Sequence, residues 1–263
     1  MLTRFCFFVL PILATPLLVL TLGCGAKAID PAKESAPVSQ PITAAAKAPA
    51  APEVALPAFN QLVLADMARF PTDGTHSYWW PRAGESDYDG VTRDILFDGK
   101  RVLKGEPGGR TFCCGLTLEV FANALEKHRQ LNPSAAIPLR AADWSEFKRL
   151  WFVTDLNGPG PSQALERYGL GKTITADEVL PGDFVQLWRT NKSGHSVIFL
   201  DWLKANDGTI IGMKYWSTQT STQGIGETIE HFVVAAQYGV EGMQKNPMVP
   251  ENMHYARVVL PPG

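Results

Sequence analysis

Two cysteines stand side by side in Thr111-Phe112-Cys113-Cys114-Gly115-Leu116-Thr117-Leu118, where a loop rich in Gly and Pro runs into an apolar stripe of helical period. A thiol at a helix N-terminus faces unpaired backbone N–H groups and the positive end of the helix dipole. Both stabilise thiolate, the form that attacks a carbonyl carbon. Gly115 leaves room for a neighbouring strand or a substrate to come close. A second piece lies further along: Leu180-Pro181-Gly182-Asp183-Phe184 turns the chain into a strand, Ser193-Gly194 turns it again, and His195 opens the next strand, 82 positions after Cys113. A histidine there sits at the rim of a sheet, where it can take a thiol proton and later hand it to a leaving amine. The plainer alternative is a pair of inert buried cysteines and a strand-capping imidazole. Neighbouring helical residues point about 100° apart, so one thiol at most faces His195, and residue type alone leaves Cys113 and Cys114 both open.

The elements that must hold these groups follow from periodicity. Helices are expected over 58–70, stopped by Pro71, over 113–131, closed by Asn132-Pro133, near 143–152, and from Pro161 to about Tyr168, ended by Gly169. A hairpin over 94–103 turns at Asp98-Gly99. From there the pattern changes to strands at 184–189, 196–203, 209–217 and 254–260, while 224–252 reads equally as helix or strand. Helices first and antiparallel strands after make an α+β domain. With the hairpin turn centred between 206 and 208, residues 218–220 fall opposite His195. Gln219 is then positioned to accept the imidazole N–H and fix its tautomer, with Ser217 the alternative if a bulge shifts the register; a solvated polar loop is the plain reading of the same residues. Trp79, Trp80 and Trp216 are candidates for a substrate cleft or for the core.

Other chemistries lack their signatures. There is no His-Glu-x-x-His, no Cys-x-x-Cys and no phosphate-binding Gly loop after a strand, and Ile198 breaks a Gly-x-Ser-x-Gly elbow at Gly194. No metal and no organic cofactor is implied. The 24 Lys+Arg against 26 Asp+Glu give a net charge of −2, without the basic footprint that nucleic acid requires. With 45% hydrophobic residues the chain can build a substantial core, and four cysteines are too few and too oddly spaced for a disulfide framework.

Residues 1–24 read as an export signal: Arg4, then an apolar run, then Gly23-Cys24. Residues 25–57 contain 11 Ala, 6 Pro and no aromatic residue, too little bulk to bury, and are read as a disordered tether. The globular domain is 58–263. Beyond the N-terminus no stretch is apolar for long enough to cross a bilayer.

Two resemblances add to this reading. The run Thr21-Leu22-Gly23-Cys24 resembles a bacterial lipoprotein processing site, which implies lipidation of Cys24 and a protein exported to the cell envelope and anchored to the membrane rather than spanning it. Cys113-Cys114-Gly115-Leu116-Thr117, then Pro181-Gly182-Asp183-Phe184, then Gly194-His195 before an apolar strand resemble the ordered landmarks of NlpC-type cell-wall peptidases and the related cysteine, histidine-dependent amidohydrolases. The likeness covers about 110–217; Phe112 stands where the family often has a polar residue. It implies a papain-like core, Cys113 as nucleophile with Cys114 as the small residue after it, and His195 as base and acid. It also implies the amide bonds of peptides, cell-wall peptides among them, as substrate. A transferase using the same acyl-enzyme is chemically close. The alternative outside catalysis is a papain-like lipoprotein domain kept for binding or structure, with both thiols buried.

Overall fold

The computed structural model describes residues 55–81, 85, 87–153 and 155–260, which fall within one compact unit. The export segment, Cys24 and all but the last three residues of the tether lie outside the described residues. The chain opens with α1 (Ala58–Met67), whose Phe59, Val63 and Met67 turn inward at helical spacing. It continues into the hairpin β1 (Ile95–Phe97) and β2 (Lys100–Leu103), turning at Asp98 and Gly99, both at positive φ as a two-residue hairpin turn demands. The long helix α2 (Cys113–Leu131) follows, then α3 (Trp144–Trp151) and α4 (Pro161–Arg167). Pro161 occupies the first turn of α4, where a missing N–H costs nothing.

The remaining elements form one six-stranded sheet: β3 (Gly171–Ile174), β4 (Phe184–Trp188), β5 (Gly194–Lys204), β6 (Ile210–Gln219), β7 (Gly224–His231) and β8 (His254–Val258). The spatial order is β3-β8-β4-β5-β6-β7 and every pairing is antiparallel. The mixed α+β class expected from the sequence is therefore observed, with the helices gathered before the main sheet. The region 224–252, ambiguous in the sequence, contributes the edge strand β7 and a 3₁₀ turn over Val233–Tyr238. Edge strand β3 was not expected: four residues with two exposed give little alternation to read.

The sheet is buried on both faces. On one, Phe184, Ile198, Trp216 and Ala256 join α2 and α3 in a core built around Phe121, Phe147 and Trp151. On the other, Val185, Leu187, Val197, Phe199, Met213 and Tyr215 pack beneath Phe232, Met248 and Met253 from the C-terminal loops. This explains why β4 is buried at all five positions, in the manner of a central strand.

A buried polar clasp holds the entry to β4. Asp183 accepts Arg257 Nε at 3.0 Å and Nη2 at 2.6 Å, Asn60 Nδ2 at 2.8 Å and the Leu180 backbone N–H at 2.8 Å. Its carboxylate is satisfied on both oxygens, and the Pro-Gly-Asp turn thereby ties β4 to α1 and β8.

Candidate active site

The site begins with how α2 starts. Phe112 is extended, at φ −134° and ψ 160°, and gives no side-chain cap to α2. The Phe112 ring instead packs edge-on to Tyr88 and Phe152 and lies 4.7 Å from the Trp80 ring, centroid to centroid. An aromatic residue before the cysteine thus anchors the helix start by packing rather than by hydrogen bonding. Gly115 allows the Asp89-Gly90 loop to cross the helix: a Cβ there would lie 2.0 Å from the Asp89 carbonyl oxygen. The room foreseen at Gly115 is filled by the protein's own backbone, not by a substrate. Asp89 is fixed in turn by Lys148 Nζ at 2.6 Å and the Lys104 backbone N–H at 2.8 Å.

A hydroxyl chain joins this helix start to β5. Thr117 Oγ1 lies 2.9 Å from Ser196 Oγ and accepts the Trp151 indole N–H at 3.1 Å. Ser196 follows His195, so the two segments that carry the expected chemistry are coupled one residue from the imidazole and one helical turn from the thiol.

Cys113, Cys114 and His195 line a common cavity of about 250 Å³, together with Tyr78, Trp80, Phe152, Gln186 and Trp188. Cys113 is 8% exposed and His195 6%, so the pair is largely withdrawn from water yet borders the cavity. The Cys113 thiol is held well below its ordinary pKa, first by a hydrogen bond from the Cys114 thiol. Burial works against this, and the neighbouring His195 ring and the Ser196 backbone N–H add to the lowering. Burial pushes the Cys114 thiol well above its ordinary value, and the neighbouring Cys113 adds to it. The two cysteines are therefore unlike: one is a thiolate candidate and the other a proton-bearing donor beside it. That separates the two thiols that residue type alone left open.

His195 Nε2 is enclosed with no hydrogen-bond partner among the described residues. Neither residue expected to orient the ring does so. The β5–β6 ladder begins at Ile198↔Trp216, and continuing it would set Gln219 opposite His195, but the pairs stop short of that rung. The Gln219 carboxamide lies 3.0 Å from the Tyr215 hydroxyl, and Ser217 Oγ donates to the Ser196 carbonyl at 2.8 Å. What braces the imidazole is the Tyr215 ring, edge-on at 5.8 Å between centroids. Tyr215 is itself fixed through Glu230, 2.9 Å from its hydroxyl, which holds Arg189 in a two-pronged ion pair.

Of the three tryptophans suggested for a cleft, only Trp80 lines this cavity, at its rim and 54% exposed. Trp79 stacks on Tyr88 and carries the Arg110 guanidinium 3.7 Å above its ring. Trp216 belongs to the helix-side core and borders a separate groove with Phe70, Leu200 and Ile225. Lining residues not singled out in the sequence include Tyr78, Gln186 and Trp188. Burial, then the two neighbouring cysteines, pushes the Tyr78 phenol up to about 12, so it remains a proton donor, and its hydroxyl makes no hydrogen bond among the described residues. A readable signal existed for Gln186 alone, a carboxamide inside the otherwise apolar strand Phe184–Trp188.

No group of three or more potential metal ligands occurs among the described residues, and none of their helices is long and apolar enough to cross a membrane. What fold and site define together is a class: an α+β domain whose long helix presents a cysteine to a histidine on the sheet's rim. No protein-family model, curated protein or solved structure matches the chain.

Proposed function

We propose that the protein is a cysteine hydrolase of amide bonds with a papain-like core, exported and held at the cell envelope by a lipid on Cys24. The observation that carries this reading is that Cys113, Cys114 and His195 line one cavity, where the Cys113 thiol is biased toward thiolate and Cys114 toward the protonated form. Cys113 Sγ attacks the amide carbonyl carbon, and the carbon–nitrogen bond breaks as His195 gives its proton to the leaving amine. Water, deprotonated by His195, then attacks the thioester and expels the Cys113 thiolate. An amine in place of water would make the same intermediate a transferase. The negative oxygen of the tetrahedral intermediate is met by the Cys113 backbone N–H at the start of α2. Peptides, those of the cell wall included, are the substrates proposed, following the resemblance carried by the Cys113, Pro181-Gly182-Asp183 and His195 segments.

A second reading rests on the partnerless His195 Nε2: the fold is kept for binding, and the cysteines and histidine are packing residues. Hydrolysis of peptide and muropeptide amides by the intact chain separates the two. Cys113→Ala and His195→Ala are expected to abolish turnover, while Cys114→Ala retains it at reduced rate. Equal rates in all three variants and the unaltered chain would end the catalytic reading.

A further inference from the structure

The cavity beside Cys113 is small and carries little polarity. Its volume of about 250 Å³ lies just below the range of ordinary ligand clefts. Among its described lining residues no Asp, Glu, Lys or Arg occurs. The guanidinium of Arg189, the residue after β4, is committed to Glu230 through Nη2 at 2.5 Å and Nε at 3.0 Å. Aromatic walls come from Tyr78, Phe152 and Trp188.

Against these walls stands one carboxamide. Gln186 is 4% exposed, in the middle of β4, and faces the cavity. Its Nε2 donates to the Leu187 carbonyl at a long 3.3 Å, and its Oε1 accepts nothing from the described residues. Two glycines make the slot it occupies: a Cβ on Gly194 would lie 2.9 Å from Nε2, and a Cβ on Gly160 3.3 Å from Oε1. That oxygen has no protein partner among the described residues and is not sealed from solvent, so a ligand bound in the cavity can supply its donor.

We infer that the cavity selects a substrate whose acyl residue has an uncharged, apolar side chain, and that Gln186 Oε1 reads that residue's amide N–H. The inference rests on the hydrolase reading for the role of Cys113 and deepens it by naming the substrate class. A charged side chain entering this space leaves its water and finds, beyond the Cys113–His195 pair that the reaction itself engages, no counter-charge, a loss that aromatic contact does not repay. An apolar one gains burial against three rings.

Two measurements on the full chain test it. For the unaltered protein, kcat/KM is compared on N-acetylphenylalanine, N-acetylaspartate and N-acetyllysine anilides, with the neutral substrate expected to lead by at least about a hundredfold. For Cys113→Ala, which does not turn over, calorimetric titration compares N-acetylphenylalanine amide with its analogue methylated on the acetylated nitrogen. Adding Gln186→Met is expected to weaken the first about tenfold and leave the second unchanged. Equal kcat/KM for charged and neutral substrates overturns the inference while leaving a hydrolase. Selective binding without turnover overturns the hydrolase and leaves the pocket's preference standing. Equal weakening of both ligands by Gln186→Met reduces Gln186 to a packing residue and removes its reading role. If that variant does not fold, the charge comparison on the unaltered chain still decides.

Discussion

At the scale of single residues, the working feature is the contrast between two adjacent thiols. A helix start alone would favour thiolate at either. Cys114 is set apart because burial holds its proton on, and that proton then stabilises the sulfur of Cys113. Cys114→Ala removes the largest influence lowering the Cys113 pKa, so the alkylation midpoint of Cys113 is expected to rise toward the ordinary thiol value. Because Cys113 reacts as thiolate, its reactivity is present above its folded-state pKa and is lost as pH falls through it; the variant shifts that loss to higher pH. Rates of iodoacetamide labelling against pH check this, and an unmoved midpoint would show that Cys114 is a mere neighbour. Cys113 and His195 were legible in the sequence because their types and contexts are unusual. Gln219 was not correctly legible as an orienting group: arithmetic on the hairpin found the rung, but only coordinates show that the ladder stops before it and that Tyr215 holds its carboxamide.

At the scale of elements, the geometry depends on where α2 begins and what crosses it. The bounds of α2 could be read from an apolar stripe bracketed by Asn132-Pro133, and the observed Cys113–Leu131 agrees with that reading. Edge strands β3 and β7 escaped it because a strand paired on one side needs less apolar alternation; β7 begins Gly224-Ile225-Gly226, which weakens the pattern further. The tight crossing of the Asp89-Gly90 loop over Gly115 was invisible, since it joins segments 26 positions apart in the chain. Gly115→Ala forces a methyl against the backbone oxygen of Asp89, a residue whose carboxylate is tied to Lys148 Nζ and the Lys104 backbone N–H. The expected cost is about 3 kcal/mol of stability, measured by urea denaturation. A loss under about 0.5 kcal/mol would mean that the loop yields freely, as an ordinary surface site does.

For the whole molecule, one sheet carries a helical layer on one face and looped segments on the other, and the site lies where β4 and β5 reach α2. The Asp183 clasp is the longest-range tie to that region, joining β4 to α1 and β8. In the sequence Pro181-Gly182-Asp183 read as a turn and as a landmark of the family resemblance but not as a clasp, because its partners Asn60 and Arg257 lie far off in the chain. Asp183→Ala leaves a largely buried guanidinium without its counter-charge and is expected to cost about 3 kcal/mol. Thermal unfolding reads this, and an unchanged midpoint would reduce the clasp to a surface ornament.

The most direct test of the account is the rate of iodoacetamide labelling at each cysteine of the folded chain, resolved by mass spectrometry across pH, with and without His195→Ala. Cys113 is expected to label and Cys114 not, with the Cys113 midpoint below the ordinary thiol value of about 8.5 and raised by His195→Ala. Two inert thiols, or a Cys113 midpoint at the ordinary value and indifferent to His195, would contradict it.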